Sequence, residues 1–254
     1  MEKLNINGIA LAYQRHGQGT PLVLIHGYPL DHSIWNEVVP LLENDFDVIL
    51  PDLRGFGESS TVTTPYTIKD MASDLATLLD HLEMKQAVLA GHSMGGYVAL
   101  AFARRYPQRV SALGLVASQA AADPADRREG RYKTASDVSE KGVGIVAEAM
   151  TPKMSADSRV QNYVKKLIEK QCPDGIIGAL KAMAEREDME PYLSEFKFPI
   201  LLLHGDADLL IPVDRARDIK TALPHAQIIE MTGVGHLPMM ESAGQVATSL
   251  KVLK

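Results

Sequence analysis

Ala87-Val88-Leu89-Ala90-Gly91-His92-Ser93-Met94-Gly95-Gly96 decides how this chain is read. Its first four residues are a continuous apolar run of strand length. From Met94 to Tyr106 the residues are small and apolar and end on Arg104-Arg105 before Pro107, as a helix C-terminus does. A serine at the junction, with glycines two residues before and two after, matches the Gly-x-Ser-x-Gly nucleophile elbow. The spacing has a steric reason, because a side chain at either glycine would strike neighbouring backbone in so sharp a turn. Ser93 also heads a helix there, where the free N–H of Met94 can face a developing oxyanion. The plainer alternative is a helix N-cap with no chemistry.

Outward from this segment, apolar runs alternate with helical patterns. Leu22 to Ile25, Val48 to Leu50, Leu113 to Val116 and Ile200 to Leu203 suit strands buried on both faces of a parallel sheet. Near the N-terminus, Leu4 to Ile6 and Ile9 to Tyr13 flank Asn7-Gly8, a strong hairpin turn pair. Ser33 to Leu42 and Ile68 to Leu82 carry apolar residues at helical spacing. Strands alternating with helices predict a doubly wound α/β sheet. The alternation stops between residues 118 and 195, where charged amphipathic helices take over. The expected organisation is therefore a core of residues 1–117 and 196–254 with a helical insertion, 118–195, between one strand and the next. An insertion leaving the carboxyl end of a strand is a candidate lid over the ligand site, or else a helical subdomain of purely structural role.

A serine hydroxyl needs a base to take its proton. Of eight histidines, only His236 lies in a glycine-rich loop after the last strand-like run, Ile228 to Met231. The carboxylate that would orient it follows the strand Ile200 to Leu203, where Asp206 and Asp208 compete within His204-Gly205-Asp206-Ala207-Asp208. Asp208, farther along the loop, is better placed to reach the active edge, and Asp206 reads as a turn former. A metal site on His204, Asp206 and Asp208 is disfavoured, because alternation along a strand end splits the side chains between faces. The loop His26-Gly27-Tyr28-Pro29 supplies a second oxyanion donor. Pro29 has no N–H, so the donor is the backbone amide of Tyr28. His26 reads as a loop brace, and Pro51 to Ser59 as a glycine turn held by an Asp52–Arg54 pair.

Composition narrows the partners. With 26 Lys+Arg against 32 Asp+Glu the net charge is −6, and the basic residues are scattered, which disfavours nucleic acid and anionic membrane surfaces. Arg127, Arg128 and Arg131, interleaved with Asp126 and Glu129, read as a solvated helical face. A lone Cys172 excludes an intramolecular disulfide and thiolate zinc sites. Met1-Glu2-Lys3 lacks the apolar core of a secretion signal, and the aliphatic runs fall far short of the roughly 18 residues of a membrane span. A cytoplasmic protein is expected.

Together these residues resemble the α/β-hydrolase family over nearly the whole chain. His26-Gly27, Asp52-x-Arg54-Gly55-x-Gly57-x-Ser59, Gly91-His92-Ser93-Met94-Gly95-Gly96, Gly205-x-x-Asp208 and Gly235-His236 stand in the family's order and approximate spacing. The resemblance implies a mostly parallel sheet of eight strands, with the helical lid inserted after the sixth. It implies Ser93 as nucleophile, His236 as general base and Asp208 as orienting acid, with the Tyr28 and Met94 amides as oxyanion hole and no metal or organic cofactor. Within the family the chain looks closest to small serine esterases, cofactor-free haloperoxidase/perhydrolase enzymes and enol-lactonases. The implied activity is cleavage of a small-molecule carboxylic ester or lactone through an acyl-enzyme, and self-association into a homo-oligomer is compatible with it. Other readings of the same triad are perhydrolase or enol-lactonase activity, a hydroxynitrile-lyase-like reaction, and a slow-turnover ligand receptor or signalling protein. Tyr28, Met150, Met183 and Leu237 are expected to line the pocket. Methionines of the insertion suit a pliable apolar wall and, equally, ordinary helix packing.

Overall fold

The computed structural model describes residues 1–254. Eight strands form one sheet: β1 (Glu2–Ile6), β2 (Ile9–Gly17), β3 (Thr20–Ile25), β4 (Phe46–Pro51), β5 (Ala87–His92), β6 (Val110–Val116), β7 (Ile200–Gly205) and β8 (Gln227–Met231). Their order is β1-β2-β4-β3-β5-β6-β7-β8. The first two strands run antiparallel to their neighbours, and every pairing from β4 through β8 is parallel. The uninterrupted apolar runs explain this arrangement, since β4, β5 and β7 are buried along their whole length.

Ten α-helices complete the chain. They are α1 (Val39–Leu42), α2 (Ile68–His81), α3 (Met94–Arg105), α4 (Ala125–Lys141), α5 (Gly144–Met154), α6 (Ser158–Glu169), α7 (Pro173–Ala184), α8 (Asp214–Ala222), α9 (Pro238–Glu241) and α10 (Ala243–Leu250). A capping box starts α2, with Thr67 Oγ1 accepting from Asp70 N and the Asp70 carboxylate accepting from Thr67 N at 2.8 Å. The single helix expected over Ser33 to Leu42 is instead a 3-10 turn, His32–Trp35, followed by the short α1. Asp31 rather than Ser33 caps that turn, and Pro40 restarts the helix at the beginning of α1.

Helices α4 to α7 all lie between β6 and β7, with no strand among them. This segment hydrogen-bonds to the loops that leave the carboxyl ends of three strands, β4, β7 and β8. Gly57 N donates to Gln171 Oε1 at 3.0 Å, Tyr66 Oη to Gly175 O at 3.2 Å, Arg127 Nη2 to Leu210 O at 3.3 Å and His236 N to Met154 O at 2.8 Å. The insertion therefore sits over the end of the sheet where the elbow turns. No helix is long and apolar enough to cross a membrane.

One buried ion pair ties the loop after β4 to α2. Arg54 Nε and Nη2 donate to the two carboxylate oxygens of Asp74 at 2.6 and 2.7 Å, and Asn7 Nδ2 donates to the same carboxylate at 2.9 Å. The expected Asp52–Arg54 brace is thus replaced by Arg54–Asp74, because Asp52 turns to His32 and to the Glu58 amide. Removing one partner of a buried bidentate pair leaves a charge uncompensated. Asp74→Asn is expected to lower the free energy of urea unfolding by about 3 kcal/mol, and the Asp74→Asn/Arg54→Met double variant by less than the single one.

Candidate active site

The elbow follows from steric necessity. Ser93 joins β5 to α3 with φ of 51° and ψ of −114°, a left-handed conformation that is strained for a serine. A Cβ on Gly91 would lie 2.2 Å from Gly95 O, and one on Gly95 would lie 2.4 Å from Ile25 O. Only glycine fits at both positions, so α3 can press against the end of β3. The Ser93 amide donates to Val116 O at 2.9 Å, which pins the turn to β6. Its side chain is half-buried and makes no hydrogen bond within the protein.

His236 and Asp208 meet at the same end of the sheet. His236 Nδ1–H donates to Asp208 Oδ2 at 2.7 Å, and both side chains are almost wholly buried. Asp208 Oδ1 accepts from the Leu210 and Ile211 amides at 2.8 and 3.0 Å. Burial alone would raise the Asp208 carboxyl. The charge of His236, hydrogen bonds from His204 and His236 and the Ile211 amide outweigh it and hold the group well below the usual carboxylate range. Asp206 instead accepts from Gly233 N at 2.7 Å, as a turn former does.

His92, to which the motifs assign no role, links the elbow to the histidine loop. Its Nε2–H donates to His236 O at 2.8 Å, and the two rings lie 4.9 Å apart between centroids. Burial, and then the neighbouring His236, keep His92 well below the usual imidazole range, so it is neutral. Its Nδ1 has no partner and faces Gly27, where a Cβ would come within 2.5 Å. The only signal in the sequence was its place beside Ser93, which is too little to separate it from ordinary packing.

The loop after β3 lies against this assembly. His26 braces it as expected, since its Nε2 accepts from Leu53 N at 2.9 Å and its Nδ1–H donates to Gly27 O at 3.0 Å. Burial lowers His26 as well, against the opposing charge of Asp52. The Tyr28 amide makes no hydrogen bond within the protein. Met94 opens α3, so its amide belongs to the first-turn donors without a helical partner. Asp31, His32 and Asp52 bring ligand-type atoms within 4.8 Å of one another. Those atoms are already engaged, with Asp52 Oδ1 accepting from His32 Nδ1 at 2.7 Å and Asp31 Oδ1 from Ser33 Oγ at 2.6 Å.

A cavity of about 510 Å³ opens beneath α4 and α5, lined by Tyr28 and Met150 together with Arg127, Arg131, Ile145 and Leu180 among others. Of the four residues expected in a pocket, Tyr28 and Met150 line this cavity. Met183 and Leu237 are buried in the hydrophobic core and do not reach it. Ser93 is not on its wall, and Tyr28 is the residue that belongs both to the cavity and to the loop beside the elbow. The expected solvated face of α4 holds for Arg128, which pairs with the exposed Glu185, but not for Arg131, which is bound to the buried Asp123. Asp123 precedes α4, four residues before Arg127 and eight before Arg131, a spacing that hints at pairing but not at the burial of Asp123.

Residues 20–133 match the family described as alpha/beta hydrolase fold. The fold superposes on a thermophilic esterase from Thermogutta terrifontis, solved with malate bound, with a TM-score of 0.95 and 35% identity, covering 99% of this chain and 97% of that one. The chain is 30% identical over 251 residues to a pimeloyl-[acyl-carrier protein] methyl ester esterase of Vibrio atlanticus, covering 92% of this chain and 94% of that protein. It is also 32% identical to the dihydrolipoyllysine-residue acetyltransferase component of an acetoin cleaving system of Pseudomonas putida, covering 96% of this chain and spanning 66% of that longer protein. By strand order, elbow geometry and these similarities, the chain belongs to the α/β-hydrolase fold family, whose esterases and lipases are hydrolytic enzymes.

Proposed function

We propose that this protein is a serine hydrolase of small carboxylic esters that works through Ser93, His236 and Asp208. The observation that carries the reading is the buried 2.7 Å bond from His236 Nδ1–H to Asp208 Oδ2, on a loop that His92, the neighbour of the strained Ser93, holds by its 2.8 Å bond to His236 O. Asp208 fixes the tautomer that leaves His236 Nε2 free to act as a base and stabilises the imidazolium that follows. Ser93 Oγ attacks the ester carbonyl as His236 takes its proton, and the tetrahedral oxyanion meets the amides of Tyr28 and Met94. His236 then protonates the departing alcohol and activates the water that releases the acid. Neutral His92 suits this cycle, because a second cation 4.9 Å from His236 would oppose its protonation. Helices α4 to α7 act as the cap that shapes the substrate space. The similarity to an esterase solved with malate bound supports a small-molecule substrate.

Purified protein is expected to hydrolyse 4-nitrophenyl acetate, and Ser93→Ala to abolish that turnover. A Ser93→Ala protein with wild-type rates would overturn the proposal. Asp208→Asn should lower kcat by about 10⁴-fold. Asp206→Asn should leave kcat nearly unchanged, since that carboxylate serves a turn.

Stability should depend on pH through the buried histidines. A histidine whose folded value lies below its unfolded one takes up protons on unfolding as pH falls under about 6.5. His92 and His26 therefore make the fold less stable from pH 7 to pH 5. His32 works in the opposite direction, because Asp52 raises it despite partial burial. His92→Gln keeps a donor for His236 O and removes one titrating group. Urea unfolding at the two pH values should show the acid loss reduced by about 1 kcal/mol in that variant.

A further inference from the structure

The cavity beneath α4 and α5 carries more positive charge than its surroundings neutralise. Asp123, fully buried at its carboxylate, is shared by three guanidinium groups. Arg131 Nε donates to it, Arg186 Nη1 lies 2.8 Å away, and Arg127 Nε lies 3.6 Å away. One carboxylate facing three guanidiniums leaves a surplus of positive charge. Two of these groups, Arg127 and Arg131, stand on the cavity wall. The one acid on that wall, Asp137, is already held by Lys133 and Lys141, each at 2.7 Å. Arg127 Nη2 donates to Leu210 O at 3.3 Å, and its Nη1 donates to no group of the protein.

A second, independent feature points the same way. The Tyr28 side chain lines the cavity, and its buried hydroxyl has no hydrogen-bond partner. An unpaired buried hydroxyl costs about 1–3 kcal/mol, which a ligand oxygen would relieve. Burial pushes this phenol up, so it stays a neutral donor. The rest of the wall, with Ile145, Val146, Ala149, Met150 and Leu180, is apolar. The cavity thus pairs an aliphatic wall with an O–H donor and guanidinium donors, which suits a short methylene chain ending in a carboxylate.

We propose that the preferred substrates are half-esters of short dicarboxylic acids, with the free carboxylate taken up by Tyr28 Oη, Arg127 and Arg131. The inference rests on the esterase reading of Ser93. Tyr28 joins the two places, its side chain on the cavity wall and its amide beside the elbow. The reaction is hydrolysis: the ester C–O bond breaks, the acyl carbon takes the oxygen of water, and the products are an alcohol and a dicarboxylic acid.

Two measurements test this with the full chain. In the first, kcat/KM is compared for mono-4-nitrophenyl glutarate and the neutral 4-nitrophenyl valerate. The half-ester should be favoured at least tenfold, and the ratio should fall about tenfold in Arg127→Met, whose side chain is 39% exposed and not needed to build the core. Tyr28→Phe should lower the same ratio. A ratio near one in the wild type, or a ratio unchanged in both variants, overturns the inference while leaving ester hydrolysis intact. In the second, glutarate binding to the Ser93→Ala protein is measured by calorimetry, which needs no turnover. Binding weakened about tenfold by Arg127→Met supports the carboxylate site even where neither ester is hydrolysed, a result that would instead overturn the esterase reading. Absence of glutarate binding overturns the inference.

Discussion

The close approach of α3 to β3 is the constraint on which the rest of the site depends. Gly95 stands so near the Ile25 and His26 carbonyls that no side chain fits, and Gly91 stands as near to Gly95. Those contacts force Ser93 into a left-handed turn at the carboxyl end of β5. They also bring the loop after β3 against the elbow, so that Gly27 packs on His92. A fold without these two glycines would separate the elbow from the Tyr28 loop, because backbone cannot pass through a methyl group. Strain of roughly 1–3 kcal/mol at Ser93 is held by buried surroundings and by the bond from its amide to Val116 O.

Polar groups buried at this sheet end are mostly paired across different loops, and those pairings lock the loops to one another. His26 joins the loops after β3 and β4, His92 joins β5 to the histidine loop, and Asp208 joins the loops after β7 and β8. Each carries a group that would be costly to bury alone, and each finds its partner on another segment. The insertion takes part through the bond from His236 N to Met154 O. Its position is therefore coupled to the loop bearing His236.

Much of this was legible in the chain itself. Continuous apolar runs fixed the buried strands, and the elbow motif located Ser93 because its glycine spacing has a steric cause that sequence displays directly. Asp208 was separable from Asp206 by its distance along the loop. Other features were hidden. Asp52 and Arg54 are two residues apart, and only the fold sends Arg54 to Asp74 and Asp52 to His32. Arg131 looked like a solvated charge, because nothing in a helix pattern says that Asp123 is buried beneath it.

The alternation of strands and helices, the elbow and the order of the candidate triad are readable along the chain, since each rests on local patterns a few residues long. Which distant groups share a buried environment emerges from the packing alone: the neutral His92 beside His236, the three guanidiniums around Asp123, and a cavity that takes Tyr28 and Met150 but not Met183 or Leu237. The physical reason is that burial and charge pairing are set by what packs around a group, and those neighbours come from parts of the chain tens of residues away.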